Sequence, residues 1–501
     1  MALQRAEIKQ GIVEGVPGMN PSYTVFKGIP YAAPPVGKNR WREPQPAEPF
    51  DGVYRAYRFK GICPQVLIND ATIFNIDNPY PYEKVSEDCL YLNVWTPAEN
   101  KDEKLPVLFV IHGGANVTGF GHQMVFDGEA FCKRNCIMVS FTWRVNIFAW
   151  LTHPDLSKES EHGVSGNYGI LDQIAALKWV HENIAAFGGD PDNVTIMGES
   201  AGGSSVFCLS HTPLTKGLFK QAIMQSGGGY NIFTIHDFLS LREMEESMDL
   251  QALLGVDTIE EARALPDWEV ENRINRPEAA GKYFPMEAID GYVFPEKLSV
   301  LCQKHEFHDV KYMIGFTRDE SFMYTYPIDK EKFINDQKAE YGKYADEYLS
   351  HCEFLNDDKA FERHLFTRNA EMLKTAAIVF GETVEESGRG NAYMYCFDRD
   401  LHDEYGVYHS SELWYLFGTL GRKKFHYTGY DYELSEMMTS YWANFAKTGD
   451  PNGEGLPEWN VYSKASPLMM ELGDSVGMKD FGVNERILFR KKFVKDNMYL
   501  D

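Results

Sequence analysis

The spacing of apolar positions changes along this chain near residue 105. In the first hundred residues short β-prone runs alternate with turns, at Tyr23 to Tyr31 and at Tyr91 to Trp95. The proline-rich stretch between Pro34 and Pro49 rules out a helix interior, because proline lacks the N–H and clashes with the preceding turn. It reads as an ordered surface crossing. Further on, short apolar segments recur at Val107 to Ile111, Ile137 to Phe141, Val194 to Met197, Gln221 to Met224, Tyr312 to Ile314 and Ala392 to Cys396. Helical stretches separate them. This alternation predicts an α/β fold, with a mostly parallel central sheet flanked by helices. One helix is marked in detail. Ile170, Ile174 and Leu177 fall at i, i+4 and i+7 on one face, with Asn167 placed to cap it. The Glu- and Leu-rich region 230–305 predicts a helical insertion between strands, placed to form a pocket wall.

Length and charge narrow the picture. Repeats, low-complexity tracts and clear linkers are missing, so the 501 residues are read as one domain, 1–501, that accepts insertions. The net charge of −24 argues against nucleic acid, whose binding needs clustered Lys and Arg. It also slows the approach of anionic substrates. No apolar run comes near the ~20 residues that span a bilayer. The opening MALQRAEIKQG carries no apolar h-region, which predicts a cytoplasmic location without membrane association. Eight cysteines, with no CxxC pair, form neither a disulfide scaffold nor a zinc site. The Asp190-Pro191-Asp192 turn lacks the rest of an EF-hand loop. No metal or cofactor is expected.

The chemistry-bearing segment is VTIMGESAGG, residues 194–203, with Ser200 at the centre of Gly198-Glu199-Ser200-Ala201-Gly202. G-x-S-x-G after an apolar strand and before a helix places the serine on a sharp turn. The flanking glycines allow strand and helix to pack closely, and the hydroxyl is lifted clear. The helix N-terminus then points free N–H groups at developing negative charge. An acyl-transfer site also needs preorganised N–H donors for the oxyanion. Ala201 can supply one, and His112-Gly113-Gly114-Ala115, following the strand that ends at Ile111, can supply others. In serine hydrolases with this strand–turn–helix order, acid and then histidine follow the nucleophile. Asp319 and Glu320 both follow the strand candidate Tyr312 to Ile314, and pattern alone does not separate them. Among fourteen histidines, His409 in GVYHSSELWYLFG stands out, with His402 as nearest rival. Glu199 is read as shaping the local field rather than as the orienting acid.

Several blocks together resemble the type-B carboxylesterase and cholinesterase family, especially its bacterial para-nitrobenzyl-esterase-like branch. They are FKGIPYAAPPVGKNRW at 26–41, SEDCLYLNVW at 86–95, NYGILDQIAALKWV at 167–180, FGGDPDNVTIMGESAGG at 187–203 and FAKTGDPN at 445–452. The resemblance implies an α/β-hydrolase fold and hydrolysis of neutral short- to medium-chain or aromatic carboxylic esters, without a cofactor. It implies Ser200 as nucleophile, Glu320 as acid and His409 as base, with Gly113, Gly114, Ala115 and Ala201 at the oxyanion hole and Ser226 in support. It further implies a buried Arg40–Glu87 ion pair. Cys63 and Cys89 match the first disulfide of secreted relatives, a bond left open here because a reducing cytoplasm keeps thiols. Ala115 departs from the family's third glycine. Trp143, Ala149 and Trp150 stand where the family favours Tyr, Gly and Phe, which leaves acyl size undetermined. Lipase, feruloyl or cinnamoyl esterase and a non-catalytic binding relative are the alternative readings.

Overall fold

The computed structural model describes residues 1–66, 84–229, 238–283, 285–321, 328–402 and 405–497. Period-two alternation decides the two faces of its main sheet. On the strand Leu105–Ile111, Val107, Phe109 and Ile111 join one apolar cluster, while Leu108 and Val110 join the cluster on the opposite face. Ala392–Asp398 repeats the division, with Met394 and Cys396 on one side and Tyr393, Tyr395 and Phe397 on the other. Strands buried on both faces in this way read as continuous apolar runs.

Among the described residues fourteen strands form two sheets. The smaller contains β1 (Arg5–Ile8), β2 (Gly11–Glu14) and β5 (Val53–Arg55). The eleven-stranded sheet uses β3 (Val16–Pro17), β4 (Thr24–Pro30), β6 (Tyr91–Thr96), β7 (Leu105–Ile111), β8 (Ile137–Phe141), β9 (Gly189–Glu199), β10 (Gln221–Gln225), β11 (Lys311–Thr317), β12 (Ala392–Asp398), β13 (Met469–Gly473) and β14 (Val476–Lys479), in the order β14-β13-β12-β11-β10-β9-β7-β8-β6-β4-β3. From β13 to β8 every neighbouring pair is parallel. The outer pairs β8–β6, β6–β4, β4–β3 and β13–β14 are antiparallel. Register matters for function. Ile111 pairs with Gly198, Glu199 with Gln225, and Gln225 with Gly315. The carboxyl ends of β7, β9, β10 and β11 therefore finish side by side.

Helices Tyr168–Asn183, Ala201–His211 and the inner part of Asp358–Ser387 cover one face, through Ile174, Val206 and Phe380 among others. Gly429–Thr448 covers the other with Leu434, Met438, Trp442 and Phe445. Asn167 stands at the N-cap position of its helix but does not cap it. Its backbone is left-handed, φ 51°, and the side chain makes no hydrogen bond to the first turn. It bonds instead to the Ala288 carbonyl and N–H (2.8 and 2.9 Å) and to Asp290 (2.9 Å). The residue thus ties the helix to the 230–305 region. There the described residues form short helices, Leu241–Ser247, Leu250–Leu254, Ile259–Ala264, Asp267–Ile274 and Leu298–Gln303; 230–237 and 284 lie outside the described residues. A second helical block, absent from the sequence reading, follows β11. Lys330–Tyr341, Ala345–Ser350 and the start of Asp358–Ser387 pack with Phe489 of the last helix in a separate apolar cluster around Phe333 and Tyr348.

Buried ion pairs fasten the N-terminal half. Arg40 and Glu87 pair at 2.7 and 2.5 Å, and Arg40 Nη1 also donates to the Leu265 carbonyl at 2.7 Å. This joins the Pro-rich crossing to the insertion. Arg144 holds Asp172 through both guanidinium edges, 2.8 and 2.7 Å, with both side chains almost fully buried. Cys63 and Cys89 are buried free thiols, and Cys63 Sγ accepts from the Val145 N–H at 3.4 Å. Among the described residues no helix is long and apolar enough to cross a membrane. Removing one member of a buried, hydrogen-bonded pair strands the other charge in a dry site. Asp172→Asn is therefore expected to destabilise the fold by about 3–5 kcal/mol, read from denaturant unfolding; a loss under about 1 kcal/mol, the range of an exposed pair, would contradict this role.

Candidate active site

β9 ends at Glu199 and the helix Ala201–His211 begins one residue later, so Ser200 alone makes the turn. It does so at φ 58° and ψ −126°, a backbone state that non-glycine residues rarely occupy and that over-determined surroundings must hold. The surroundings are visible. The Ser200 N–H donates to the Gln225 carbonyl at 2.9 Å. A Cβ on Gly202 would lie 2.2 Å from the Ile111 carbonyl oxygen, so only glycine lets the helix start so close to the end of β7.

The segment after β7 folds back against this turn. A Cβ on Gly113 would meet the Glu199 carbonyl oxygen at 2.6 Å and Ser200 Cβ at 3.1 Å. Gly114 and Ala115 follow with φ of 115° and 55°. His112, stacked on Trp143 with ring centroids 5.0 Å apart, uses Nδ1 on the Gly113 carbonyl at 2.9 Å. Burial keeps its imidazole neutral, pushed down to about 4. The turn thus has a rigid back wall. Ala201 opens the helix on the other side of Ser200.

Glu320 lies just beyond β11, again with a left-handed backbone (φ 46°). Its Oε1 accepts the Thr317 N–H at 2.7 Å, which leaves Oε2 to accept from His409 Nδ1 at 2.5 Å. The other ring nitrogen, Nε2, lies 3.1 Å from Glu199 Oε1, which also accepts from Ser410 Oγ at 2.6 Å. The structure thus brings Glu320 and His409 together with Glu199, the residue that precedes Ser200. Asp319 takes a different course. It pairs with Arg318 (2.7 Å) and Arg363 (3.1 Å) and accepts the Val407 N–H at 2.9 Å. His402 is exposed and faces Asp400 at 3.7 Å. Ser226 sits at the end of β10 with φ 45°, its N–H on the Gly315 carbonyl at 2.8 Å and its hydroxyl buried.

The charges explain one another. Burial alone would lower the imidazole, but Glu199 and Glu320 outweigh it and push His409 up to about 9. Burial raises Glu199, against the pull of His409 and Ser410, and Glu320 adds to the rise. A third carboxyl, Glu412, was not singled out from sequence. It is fully buried and held well above the carboxylate range by burial and by the charges of Glu199 and Glu320. Its Oε1 accepts from Gln225 Nε2 at 3.4 Å. The signal for it was a lone acid inside the apolar run SSELWYLFG. Glu287, also unforeseen, is buried 3.4 Å from Asn116 Nδ2 and pushed up to about 7 by burial. Among the described residues no group of three or more His, Cys, Asp or Glu could hold a metal ion.

Comparison with known proteins gives these features a family. The chain matches the profile of the carboxylesterase family over residues 3–489. It is 32% identical to the fumonisin B1 esterase of Sphingopyxis macrogoltabida over 491 residues, covering 94% of this chain and 86% of that protein. It is 32% identical to the para-nitrobenzyl esterase of Bacillus subtilis (strain 168) over 481 residues, 92% of this chain and 93% of that protein. Among solved structures, a thermophilic PNB esterase matches with a TM-score of 0.82 at 28% identity, covering 98% of this chain and 99% of its own. The mixed sheet with its flanking helices is the α/β-hydrolase fold of these esterases. On a profile that spans nearly the whole chain and an architecture shared with solved esterases, this chain belongs to the carboxylesterase family, as a carboxylic ester hydrolase.

Proposed function

We propose that the chain is one α/β-hydrolase domain that cleaves neutral carboxylic esters, with short- to medium-chain or aromatic groups, through an acyl-enzyme on Ser200. The observation that carries this reading is the 2.5 Å contact between His409 Nδ1 and Glu320 Oε2, with His409 Nε2 3.1 Å from Glu199, the residue next to a serine held at φ 58°. In the first half-reaction Ser200 Oγ attacks the ester carbonyl and His409 Nε2 takes the hydroxyl proton. Glu320 fixes the ring orientation and stabilises the imidazolium. Glu199 holds the same cation from its Nε2 side. The N–H groups of Gly114, Ala115 and Ala201, in the turn that Gly113 opens, receive the oxyanion; loss of one such donor costs about 3 kcal/mol. The tetrahedral intermediate then collapses, the alcohol leaves with the proton from His409, and water attacks the acyl-enzyme by the same route. Ser226 supports the turn from β10. The net charge of −24 favours neutral substrates, since a negative surface slows the approach of anions.

Kinetics and melting of defined variants test this reading. With para-nitrophenyl esters from acetate to palmitate, and methyl ferulate beside them, kcat/KM is expected to peak at short or medium acyl chains. Ser200→Ala is expected to abolish turnover while thermal melting stays unchanged; retained turnover would falsify the mechanism. Glu320→Gln is expected to lower kcat by roughly 10³–10⁴-fold. Asp319→Asn, which weakens the pairs with Arg318 and Arg363, is expected to lower stability more than kcat, and the reverse ranking would make Asp319 the acid. The pH profile follows from the carboxylates. A base whose proton is held by two carboxylates is free only at higher pH, so the acid limb of kcat/KM lies alkaline of an ordinary imidazole. Glu199→Gln removes the largest raising influence on His409 and is expected to move that limb to lower pH. An unmoved limb would mean that His409 does not titrate in it.

A further inference from the structure

A cavity of about 510 Å³ lies on the sheet face opposite the helix Ala201–His211, and none of Ser200, Glu320 or His409 lines it. The β3–β4 hairpin, Trp95 of β6, the segment around 120–127 and Arg422 enclose it. Its floor is aromatic and buried, formed by Tyr23, Trp95, Phe120 and Phe126. Phe59 continues this wall, 6.3 Å from Trp95 by ring centroids and stacked on His122 at 4.7 Å with 9° between planes.

The charges in this wall do not cancel. Arg422 is paired with Asp127 and also donates to the Met124 carbonyl at 2.8 Å. The Tyr23 hydroxyl donates to Glu129 at 3.0 Å. Lys27 differs. Its Nζ sits 4.9 Å over the Phe59 ring, and among the described residues no carboxylate lies within ion-pair distance of it. With Asp127 paired to Arg422 and Glu129 to Lys133 at 2.9 Å, Lys27 is left, among the described residues, as a cation without a carboxylate partner next to the aromatic floor. A cation on a ring face is held more weakly than one in a desolvated, charge-assisted contact with a carboxylate. Apolar walls with a few convergent polar groups are the usual composition of a small-molecule site.

We infer that this cavity is a second, non-catalytic binding site for a flat aromatic monocarboxylate, its rings against Trp95 and the edge of Phe59 and its carboxylate on Lys27. The site is joined to the catalytic turn from behind, since Gly119, at the start of the walling segment, lies so close to His112 and the Gly113 carbonyl that a Cβ there would meet them at 2.5 and 2.2 Å.

Isothermal titration of the intact protein with 2-naphthoate, and with neutral 2-naphthamide as control, tests the assignment. Naphthoate is expected to bind one to one, at least tenfold more tightly than the amide. Lys27→Gln is expected to weaken naphthoate tenfold or more and to leave the amide unchanged, and Phe59→Leu to weaken both. Both variants are expected to keep the wild-type melting temperature and rate on para-nitrophenyl acetate. Absence of naphthoate binding, or binding that Lys27→Gln leaves intact in a folded protein, overturns the proposal; the second outcome would place the carboxylate elsewhere, the Ser200 site included.

Discussion

The near-contact between Gly202 and the Ile111 carbonyl oxygen is the constraint on which the rest of the site depends. It lets a helix begin against the end of β7, and Ser200 has no room to turn except with a left-handed backbone. From there a relay of main-chain hydrogen bonds runs along the strand ends. Ser200 N–H reaches Gln225, Ser226 N–H reaches Gly315, Arg318 N–H reaches Phe397, and His409 N–H reaches Ser321. Each bond sets the height of one loop against the next. Ala115, Ser226, Glu320 and Ser410 join Ser200 in having positive φ. Local backbone preference is overridden at one end of one sheet, and the packed strands beneath hold it so.

The same end of the sheet gathers negative charge. Glu199, Glu320 and Glu412 are all buried near one imidazole. Three carboxylates cannot all ionise in so dry a place. Burial and the neighbouring charges hold Glu412 well above the carboxylate range and raise Glu199, while Glu199 and Glu320 raise His409. Asp319, one residue from Glu320, faces away from this cluster and pairs with Arg318 and Arg363. Two adjacent acids thus have separate tasks, one facing the imidazole and the other anchoring a loop.

Much of this was legible in the sequence, for identifiable reasons. Doubly buried parallel strands leave unbroken apolar runs, so the segments at 107–111 and 137–141 stood out; the latter matches β8 end to end. The serine turn was legible because its glycines are required by contact. The edge strands were harder, since Val16–Pro17 and Val53–Arg55 are short and mostly polar or exposed. Asn167 misled because the rule for caps assumes an extended backbone, and here it is left-handed. Asp319 and Glu320 are equivalent to any pattern, and only the direction of their side chains separates them. The helical block around Phe333 and Tyr348 escaped because it packs on itself and on the last helix, which no local periodicity records.

The margins of the large sheet bear on how the protein behaves in a crowded solution. Unpaired strand edges invite other chains to add on, and natural proteins blunt them. Here one margin is only Val16–Pro17, and proline offers no N–H to a newcomer. The other is Val476–Lys479, four residues long, ending on a lysine engaged by Glu471 at 2.6 Å. A sheet of eleven strands, long enough to template a fibre, is thereby closed to growth at both sides. Protection against strand addition thus lies in the two outermost strands themselves.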